Sequence, residues 1–536
     1  MEFTTQLGNY QATADQYVAA LAKQNIIQRI WDHDHTVWQD DPEEITNRLG
    51  WLHSPNDMQT QLDEISELVA AVQAEGYTDV LLLGMGGSSL APELFSLTFG
   101  PESDGLHLEV LDSTHPAAVA AYDERLDPAK TLFIVATKSG GTVETLSGFK
   151  YFYNQTAAAV GADQAGAHFV AITDPGSKLV DLATRYNFRK TFLNDPNIGG
   201  RYSVLSHFGL VPAALVGVDV AQLLDNAIAM ASERYTAALL GAVLGGLALE
   251  GRDKVTFVLS DQLASFGDWA EQLIAESMGK SGKGILPVVG EVLGTAADYG
   301  DDRLFVQLHL EGDASADVQL AELTAAGYPL VRITLDDLYD LGGQFLLWEL
   351  ATAVAGHILQ IHPFNQPNVE SAKIAAREMV KAYHETGSIP QGETSPLTAE
   401  TLNTFLAQAN AGDYISLQAY VPQTAENLAA YRALQTTLRD QTKLAVTFGF
   451  GPRFLHSTGQ LHKGDAGNGL FIQFLDDAQP EIAIPDEAGD EASAMSFGVL
   501  IQAQAMGDAQ ALKDANRRLI RFDVDGDVAA AIQALA

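Results

Sequence analysis

Short apolar runs alternate with helical stretches through most of this chain, and no other feature constrains its fold as much. The runs occupy residues 80–83, 106–111, 131–135 and 169–172, and then 255–259, 285–289, 304–310 and 330–335. Short apolar strands separated by helices are typical of parallel sheets that are covered on both faces. The sequence therefore predicts an α/β protein with two similar, doubly wound halves.

The segments outside the two series are predicted to complete the architecture. We expect a helical N-terminal segment over residues 1–60, a first α/β domain over 61–235 and a second over 236–385. A smaller C-terminal α/β unit is expected over 386–536, in which the stretch 415–421 is predicted to be helical.

Composition limits the classes of function. The chain has 536 residues, a net charge of -38 and no cysteine. The acidic balance argues against nucleic-acid binding, and the lack of thiols excludes disulfides and cysteine chemistry. Residues 1–6 lack the basic start of a signal peptide, and charge or glycine interrupts every apolar stretch before membrane-spanning length. We therefore expect a cytoplasmic protein with neither nucleic acid nor a membrane as a partner.

The turn after the third apolar run is rich in hydroxyls and glycine. Residues 136–145 spell Ala-Thr-Lys-Ser-Gly-Gly-Thr-Val-Glu-Thr, and a helix is predicted to begin near Val143. The free N–H groups of a first helical turn and the helix dipole attract an anion, and glycine lets the backbone approach it. The segment predicts a phosphate site, although an ordinary capped turn would use similar residues.

A second glycine turn, Leu-Gly-Met-Gly-Gly-Ser-Ser-Leu at residues 83–90, follows the first apolar run. It nearly matches the dinucleotide fingerprint, and Asp112 ends the next strand where a ribose-binding acid would lie. The third fingerprint glycine is replaced by Ser89, however. Two adjacent hydroxyls suit a monophosphate or a sugar better than a pyrophosphate, so we favour such a ligand. A purely structural turn remains an alternative.

Three further segments place polar groups beside glycine or proline. Glu276 lies near the end of an amphipathic helix, just before Gly279, where a carboxylate could act as a general base. Arg201 follows two glycines, which suits the stabilisation of a developing oxyanion. Gln366 and Lys373 flank a helix start after a proline-containing loop. Each position, taken alone, also fits an ordinary surface residue.

Other motifs carry less weight. The Gly-Lys-Ser at 279–281 lacks the upstream glycine of a P-loop, because that position is Ile274. Residues 523–527 have a misplaced glycine for a calcium loop. The Asp-His-Asp-His at 32–35 would scatter around a helix axis, so a solvated face is favoured over a metal site.

Taken together and in this order, the favoured segments resemble the phosphoglucose isomerase family over roughly residues 60–385. The resemblance rests on Gly86-Gly87-Ser88, Thr137-Lys138-Ser139 with Thr142 and Thr145, Gly200-Arg201-Tyr202-Ser203, the stretch 276–280 and the stretch 366–373. Five motifs in register are far more specific than any one of them.

The resemblance implies two sugar-isomerase (SIS) domains with the active site in the cleft between them. The 6-phosphate would be held by Ser88, Thr137, Lys138, Ser139, Thr142 and Thr145, and further substrate contacts would come from Gly87, Gly200 and Gln366. Glu276 would move a proton between C1 and C2, Arg201 would stabilise the cis-enediolate, and Lys373 would help to open the sugar ring. No metal or organic cofactor is implied.

One departure from the family concerns ring opening. The family usually places a histidine before the strand that begins near residue 304, often acting in the partner subunit, whereas this chain has Arg303 near that place. Arginine does not give up its proton at neutral pH. His456 or His462, in the C-terminal unit, is a candidate substitute. A surface loop is the alternative interpretation of that segment.

The predicted activity is that of a glucose-6-phosphate isomerase, an aldose–ketose isomerase of glycolysis and gluconeogenesis, working as a homodimer. Two alternatives remain open: an isomerase of another sugar phosphate, and a non-catalytic sugar-phosphate-binding SIS protein. The region around residues 29–52 and the C-terminal unit also resemble the isomerase half of transaldolase–phosphoglucose isomerase fusions. No transaldolase barrel precedes them, so transaldolase activity is not predicted.

Overall fold

The computed structural model describes residues 1–100, 105–389 and 392–536. The N-terminal segment begins with a strand, and four helices follow it. The elements are β1 (Glu2–Gln6), α1 (Gln11–Lys23), α2 (Ile26–Trp31), α3 (Ser54–Gln59) and α4 (Leu62–Ala74). The predicted helical character is therefore correct for most of this segment and wrong for its first residues.

The first sheet has five parallel strands in the order β3-β2-β4-β5-β6. Its elements are β2 (Asp79–Leu83), α5 (Leu90–Phe99), β3 (His107–Leu111), α6 (Pro116–Arg125), β4 (Thr131–Ala136), α7 (Val143–Val160), α8 (Ala162–Ala165), β5 (Phe169–Thr173), α9 (Lys178–Arg185) and β6 (Lys190–Leu193). The chain reverses its winding direction between β2 and β4. Ligands of such sheets bind beyond the strand ends at this reversal. Both turns that were predicted to bind phosphate begin there.

Three helices connect the first sheet to the second: α10 (His207–Val216), α11 (Val220–Met230) and α12 (Arg234–Leu249). The second sheet contains β7 (Lys254–Leu259), α13 (Phe266–Met278), β8 (Leu286–Val288), β9 (Arg303–Leu310), α14 (Asp317–Ala325) and β10 (Leu330–Leu335), and it is followed by α15 (Leu341–Leu359) and α16 (Glu370–Thr386). Its order is β1-β10-β9-β7-β8, in which only β1 is antiparallel. Its four strands other than β1 repeat the order of the first four strands of the first sheet. The two halves are therefore similar, as predicted.

The C-terminal unit has a sheet of its own with four parallel strands in the order β12-β11-β13-β16. Its elements are α17 (Ala399–Leu406), β11 (Tyr414–Tyr420), α18 (Ala425–Thr442), β12 (Ala445–Phe450), α19 (Gly459–Gly464), β13 (Gly469–Leu475), β14 (Ala483–Ile484), β15 (Met495–Ser496), α20 (Phe497–Asp514), β16 (Arg518–Asp523) and α21 (Val528–Gln533). The helix predicted over 415–421 is wrong, because these residues lie almost entirely in the buried central strand β11.

The C-terminal unit packs against both halves of the molecule. Its own core lies around β11 and β13. A second cluster joins Leu286 of β8 to Leu461 of α19 and to Phe471 of β13. A third joins Phe133 of the first sheet to Phe497 of α20. The unit is therefore an integral part of the structure and shares hydrophobic clusters with both halves.

The buried helix pair α12 and α15 joins the two halves. A β-carbon on Gly241 would lie 2.6 Å from the Cβ atom of Val354, so glycine allows these helices to approach closely. Within the described residues no single helix is long and apolar enough to cross a membrane. The helices α11 and α12 together have the length and composition of a membrane span, but the pair is bent by 76°.

Candidate active site

Two glycine turns from different parts of the first half touch each other. A β-carbon added to Gly87 would lie 2.0 Å from the carbonyl oxygen of Gly200, so only glycine permits this contact. Gly86 has a φ of 55°, a left-handed conformation that glycine adopts without strain. The contact places the half-buried Ser88 beside the turn that carries Arg201. The structure thus brings together two motifs that the sequence separates widely.

The hydroxyl-rich turn after β4 is built as expected for an anion site. The hydroxyls of Thr137 and Thr142 lie 2.8 Å apart at the start of α7. Thr142 is the N-cap residue of this helix, and its side chain does not cap the helix. Gly140, with a φ of 68°, makes the turn possible. The exposed Ser139 lies in the same turn, so three predicted phosphate ligands meet at one helix N-terminus.

Two other predicted phosphate ligands are less available. The ammonium of Lys138 forms an ion pair with Asp174 and donates a hydrogen bond to the carbonyl of Pro196 at 2.9 Å. Burial raises the pKa of Asp174, and the ion pair with Lys138 opposes this shift. Thr145 is buried, and its hydroxyl finds no hydrogen-bond partner within the described residues. In this structure Lys138 is held by a carboxylate, whereas the Thr137 and Thr142 hydroxyls are engaged with each other.

Glu276 and Arg201 form a largely buried ion pair between the end of α13 and the turn Gly200–Tyr202. The Nη1 atom of Arg201 lies 3.4 Å from Oε1 of Glu276, and the two residues are 5% and 8% exposed. Glu276 lies in the last turn of α13, where Gln272 donates a hydrogen bond to its Oε2 at 3.2 Å. A largely buried carboxylate beside a permanent cation can move a proton while the cation stabilises an oxyanion.

The guanidinium of Arg201 is held rigidly. Its Nε donates to the Ser277 hydroxyl at 2.8 Å, and its Nη2 donates to the carbonyls of Pro363 and Asn365 at 2.7 and 3.1 Å. Its Nη1 donates to Oε1 of Gln366 at 3.4 Å. A cation fixed by so many bonds needs no reorganisation when negative charge develops near it.

Lys280 is a charged neighbour of the site to which the sequence motifs assigned no role. It is buried, and its ammonium donates to the carbonyl of His362 at 2.7 Å. Burial and then the charge of Arg201 hold the pKa of Lys280 well below its usual range, while Glu276 acts in the opposite direction. In the sequence Lys280 ends the stretch 276–280 and begins the Lys-Ser of the failed P-loop, and neither motif indicates burial.

Comparison with known proteins agrees with this geometry. Residues 51–284 match the family model described as phosphoglucose isomerase. The chain is 30% identical over 406 residues to the glucose-6-phosphate isomerase of Citrifermentans bemidjiense, a match that covers 62% of this chain and 75% of that protein. The chain belongs to the phosphoglucose isomerase family.

A further relative and a solved structure are also similar to this chain. The glucose-6-phosphate isomerase of Rubrobacter xylanophilus is 29% identical over 383 residues, which cover 60% of this chain and 87% of that protein. A solved structure of a hypothetical protein from Thermus thermophilus superposes with a TM-score of 0.59 at 25% identity, covering 70% of this chain and 99% of that chain.

The phosphoglucose isomerase match ends before the last two predicted site residues. Gln366 is exposed and contacts Arg201, as described above. Lys373 lies in the first turn of α16 and is also exposed. The charge of Lys373 makes a small contribution to lowering the pKa of Glu144, in the first turn of α7.

The C-terminal unit, which lies outside the residues matched by the family model, contacts segments that carry predicted site residues. Nε2 of His456 lies 2.9 Å from Oε1 of Glu144, and Gln504 donates to the same oxygen at 2.7 Å. Gln460 donates to the carbonyl of Gly279 at 2.7 Å. Sequence reasoning gave no role to these three residues: Glu144 lies within the hydroxyl-rich segment 136–145 but is not one of its hydroxyls, and Gln460 and Gln504 belong to no motif.

Arg303 and His462 lie elsewhere. Arg303 is fully buried and forms a bidentate pair with Glu291, with distances of 3.2 and 3.0 Å, and it also reaches the carbonyl of Leu444. His462 is enclosed in the C-terminal unit between Ser416 and Gln418. Of the polar groups considered for the missing family histidine, only His456 reaches the cleft.

The motifs that were judged weak have structural roles. Asp112, the candidate ribose ligand, forms an ion pair with Arg453 at 3.1 Å. Asp34 accepts hydrogen bonds from Thr36 and Arg29, which lower its pKa to about 2. Among the described residues, no group of three or more His, Cys, Asp or Glu side chains is arranged to hold a metal ion.

Proposed function

We propose that this member of the phosphoglucose isomerase family interconverts glucose 6-phosphate and fructose 6-phosphate through a cis-enediolate. The observation that carries the proposal is the Glu276–Arg201 pair, separated by 3.4 Å in a cleft next to a hydroxyl-rich helix N-terminus. The family comparisons support the same reaction. Glycolysis and gluconeogenesis are the pathways in which this isomerisation is used.

The reaction requires a base that moves a proton between two carbon atoms and a cation that stabilises the negative charge on oxygen. The Glu276 carboxylate takes the proton from C2 of the open-chain aldose, and the electron pair moves towards O1 to form the enediolate. Arg201 stabilises the negative charge that O1 and O2 share. Glu276 then returns the proton to C1, while the hydroxyl proton passes from O2 to O1, which completes the ketose.

The phosphate is proposed to bind where the two turns of the first sheet meet. The ligands are Ser88, Thr137, Lys138, Ser139, Thr142 and Thr145, with the free N–H groups of α7. A chain with a net charge of -38 repels a phosphorylated substrate at long range. Local hydroxyl and N–H donors therefore carry most of the recognition.

Lys373, Gln366, Gly87 and Gly200 complete the proposed substrate site. The Lys373 ammonium would stabilise the ring oxygen as it develops negative charge during ring opening. Gln366 would contact the sugar and orient Arg201. Gly200 would leave room for the substrate, because the space at its β-carbon position is open, and Gly87 would let the two turns approach each other beside Ser88. The proposed reaction uses neither a metal ion nor an organic cofactor.

A coupled assay tests the function directly. Purified protein is given fructose 6-phosphate without added metal, and glucose 6-phosphate formation is followed. We expect turnover above about 1 per second, an ordinary enzymatic rate. Glu276→Gln should lower kcat by at least about 10³-fold, because the amide does not take up the proton, while fructose 6-phosphate binding changes little. A wild-type protein that binds this sugar phosphate without turnover would indicate a binding protein instead.

The substrate alternative is tested in the same assay. Mannose 6-phosphate differs from glucose 6-phosphate only in the configuration at C2. A higher kcat/KM with mannose 6-phosphate than with glucose 6-phosphate would assign the chain to a different sugar-phosphate isomerase.

The wider expectations are part of this proposal. We propose a cytoplasmic homodimer, because two-fold symmetric dimers are the commonest oligomers, with no nucleic acid or membrane partner. Sedimentation velocity at micromolar concentration tests the dimer. The resemblance to the isomerase half of transaldolase fusions also stays a proposal. The C-terminal α/β unit, beyond the residues on which the family resemblance rests, is the feature that supports it.

A further inference from the structure

The proposed site contains a base for C2 and a cation for the enediolate, but sugar phosphates exist mainly as closed rings. Ring opening transfers the O1 hydroxyl proton to the ring oxygen O5 while the C1–O5 bond breaks. An imidazole can accept and return a proton near neutral pH. A group for this step should lie in the cleft and be fixed relative to the phosphate site.

We propose that His456 of the C-terminal unit is the acid–base group that opens and closes the sugar ring, and that it acts in the active site of its own chain. The inference rests on the proposed isomerase function. His456 accepts the O1 proton, the C1–O5 bond breaks as the C1–O1 double bond forms, and the imidazolium gives the proton to O5. Atoms and charges balance without a further reactant.

The imidazole is oriented for this role by the first half of the molecule. Its Nε2 is 2.9 Å from Oε1 of Glu144, in the first turn of α7. The carboxylate accepts the Nε2 proton, so the neutral ring carries its lone pair on Nδ1. Nδ1 makes no hydrogen bond to any other group in residues 1–100, 105–389 and 392–536. The side chain is 18% exposed, which leaves this nitrogen accessible.

Glu144 can stabilise the imidazolium that forms during the step. Burial raises the pKa of this carboxyl, but the charge and hydrogen bond of His456, with the charge of Lys373, outweigh burial and lower it overall. Glu144 is therefore ionised at neutral pH. The hydrogen bond from Gln504 at 2.7 Å fixes the same oxygen that faces His456.

The backbone of His456 is locked to both halves of the cleft. A β-carbon on Gly86 would lie 2.8 Å from the His456 carbonyl oxygen, so this glycine allows the histidine to approach the phosphate turn. The amide of Gln272 donates to that carbonyl at 2.8 Å and to Oε2 of Glu276 at 3.2 Å. One side chain thus connects the proposed ring-opening residue with the proposed carbon base.

Arg453 anchors the short 3-10 turn Arg453–His456 that carries the histidine. Its guanidinium forms ion pairs with Glu93, with Asp112 at 3.1 Å and with Asp268 at 3.6 Å. These acids belong to both halves of the molecule. Since His456 belongs to a unit that also packs on both halves, its position does not require a second chain.

The test separates ring opening from isomerisation. His456→Gln is compared with His384→Gln, a matched replacement on the exposed face of α16. Catalysed interconversion of the α and β anomers of glucose 6-phosphate is measured by NMR magnetisation transfer. Binding of 5-phosphoarabinonate, an open-chain analogue of the enediolate, is measured by calorimetry.

We expect His456→Gln to lower catalysed anomerisation and kcat by about 10²-fold or more, as loss of an acid–base group does, while 5-phosphoarabinonate affinity stays within about threefold. His384→Gln should match the wild type. Anomerisation within threefold of the wild type in His456→Gln would overturn the inference. A wild type without isomerase activity would instead refute the proposed function.

Glu144→Gln serves if His456→Gln does not fold. The amide keeps a hydrogen-bond acceptor for Nε2 but removes the charge that stabilises the imidazolium. We expect about a tenfold lower anomerisation rate with KM nearly unchanged. An unchanged anomerisation rate would overturn the inference.

Mixing two inactive variants tests whether the histidine serves its own chain. Glu276→Gln and His456→Gln proteins are unfolded together, refolded and assayed. We expect no activity above the sum of the separately refolded variants, because each chain lacks one essential group of its own site. Recovery above that sum, up to the quarter of wild-type activity that random pairing of a dimer allows, would show that His456 acts in a partner's site and would overturn the proposal.

Discussion

Nε2 of His456 lies 2.9 Å from Oε1 of Glu144, although 312 positions separate the two residues in the sequence. Glu144 belongs to the helix that starts at the predicted phosphate turn, and His456 belongs to a unit outside the matched part of the family. The contact joins the C-terminal unit to the helix that follows the predicted phosphate turn.

The close contact between Gly87 and Gly200 predicts that a methyl group added at Gly87 lowers both stability and activity. We expect Gly87→Ala to lower the free energy of unfolding by about 1–3 kcal/mol, because its β-carbon would lie 2.0 Å from the Gly200 carbonyl oxygen. The displaced turn carries Arg201, so kcat/KM should fall by about tenfold or more. Denaturant unfolding and the coupled assay measure the two effects.

Gly199→Ala is the matched control for that substitution. The nearest atom to its β-carbon would be Cδ of Arg48 at 3.7 Å, an ordinary contact. We expect a change in stability of less than about 0.5 kcal/mol. Equal losses in the two variants would show that the close approach of the turns is unimportant.

Arg303 is predicted to matter for stability and not for catalysis. Arg303→Met would leave the fully buried Glu291 with Arg439, at 3.5 Å, as its remaining ion-pair partner. We expect the free energy of unfolding to fall by about 3 kcal/mol, the range for a broken buried pair, with kcat within about twofold of the wild type. Denaturant unfolding and the coupled assay measure these quantities.

A double variant tests the cause of that loss. In Glu291→Gln/Arg303→Met no carboxylate remains buried at this position, so the stability should lie above that of Arg303→Met. A large fall in kcat with unchanged stability would instead place Arg303 in the reaction.

Two substitutions in the predicted phosphate turn are expected to raise KM to different extents. Lys138→Met removes a charge that Asp174 already neutralises, so KM for fructose 6-phosphate should rise by less than about threefold. Thr142→Val removes a hydroxyl from the N-terminus of α7, and KM should rise by about tenfold. Neither should change kcat, because the phosphate does not react. A larger increase in KM for Lys138→Met than for Thr142→Val would mean that Lys138 leaves Asp174 and binds the phosphate of the substrate.

The lowered pKa of His362 is expected to make the stability of the folded protein depend on pH. Its Nδ1 accepts a hydrogen bond from the N–H of Phe364 at 3.1 Å, in the loop that holds Arg201. Burial, with the charges of Lys280 and Arg201, lowers its pKa to about 4 from a usual value of 6.5, although a hydrogen bond to Glu43 opposes the shift. As the pH falls, the unfolded chain therefore binds a proton at His362 before the folded chain does. The neutral, buried His362 contributes to the stability of the folded state above pH 6.5, and this contribution is lost as the pH falls towards 4.

His362→Gln measures that contribution. The decrease in unfolding free energy between pH 7 and pH 5 should be about 1 kcal/mol smaller in His362→Gln than in the wild type, after allowance for partial exposure. Denaturant titrations at both pH values provide the comparison. Identical pH dependence in the two proteins would contradict the prediction.

Most of the sheet architecture could be predicted because buried parallel strands appear as unbroken apolar runs. The strands β2 and β4 are two such runs. The strand β11 was missed because its polar side chains resemble a surface pattern, yet they are satisfied inside the core, where Gln418 accepts a hydrogen bond from Gln473. The strand β1 is short and polar, and it forms by pairing with β10, more than 300 positions away.

The sequence by itself determined the local chemistry: the glycine turns, the hydroxyl-rich helix start, and the carboxylate and guanidinium placed beside glycines. These features follow from backbone sterics and helix termini, which neighbouring residues control. The tertiary structure alone decided that Lys138 pairs with Asp174, that Arg303 pairs with Glu291, and that His456 rather than His462 reaches the cleft. Such choices depend on packing between distant segments, which burial energy governs and local spacing does not encode.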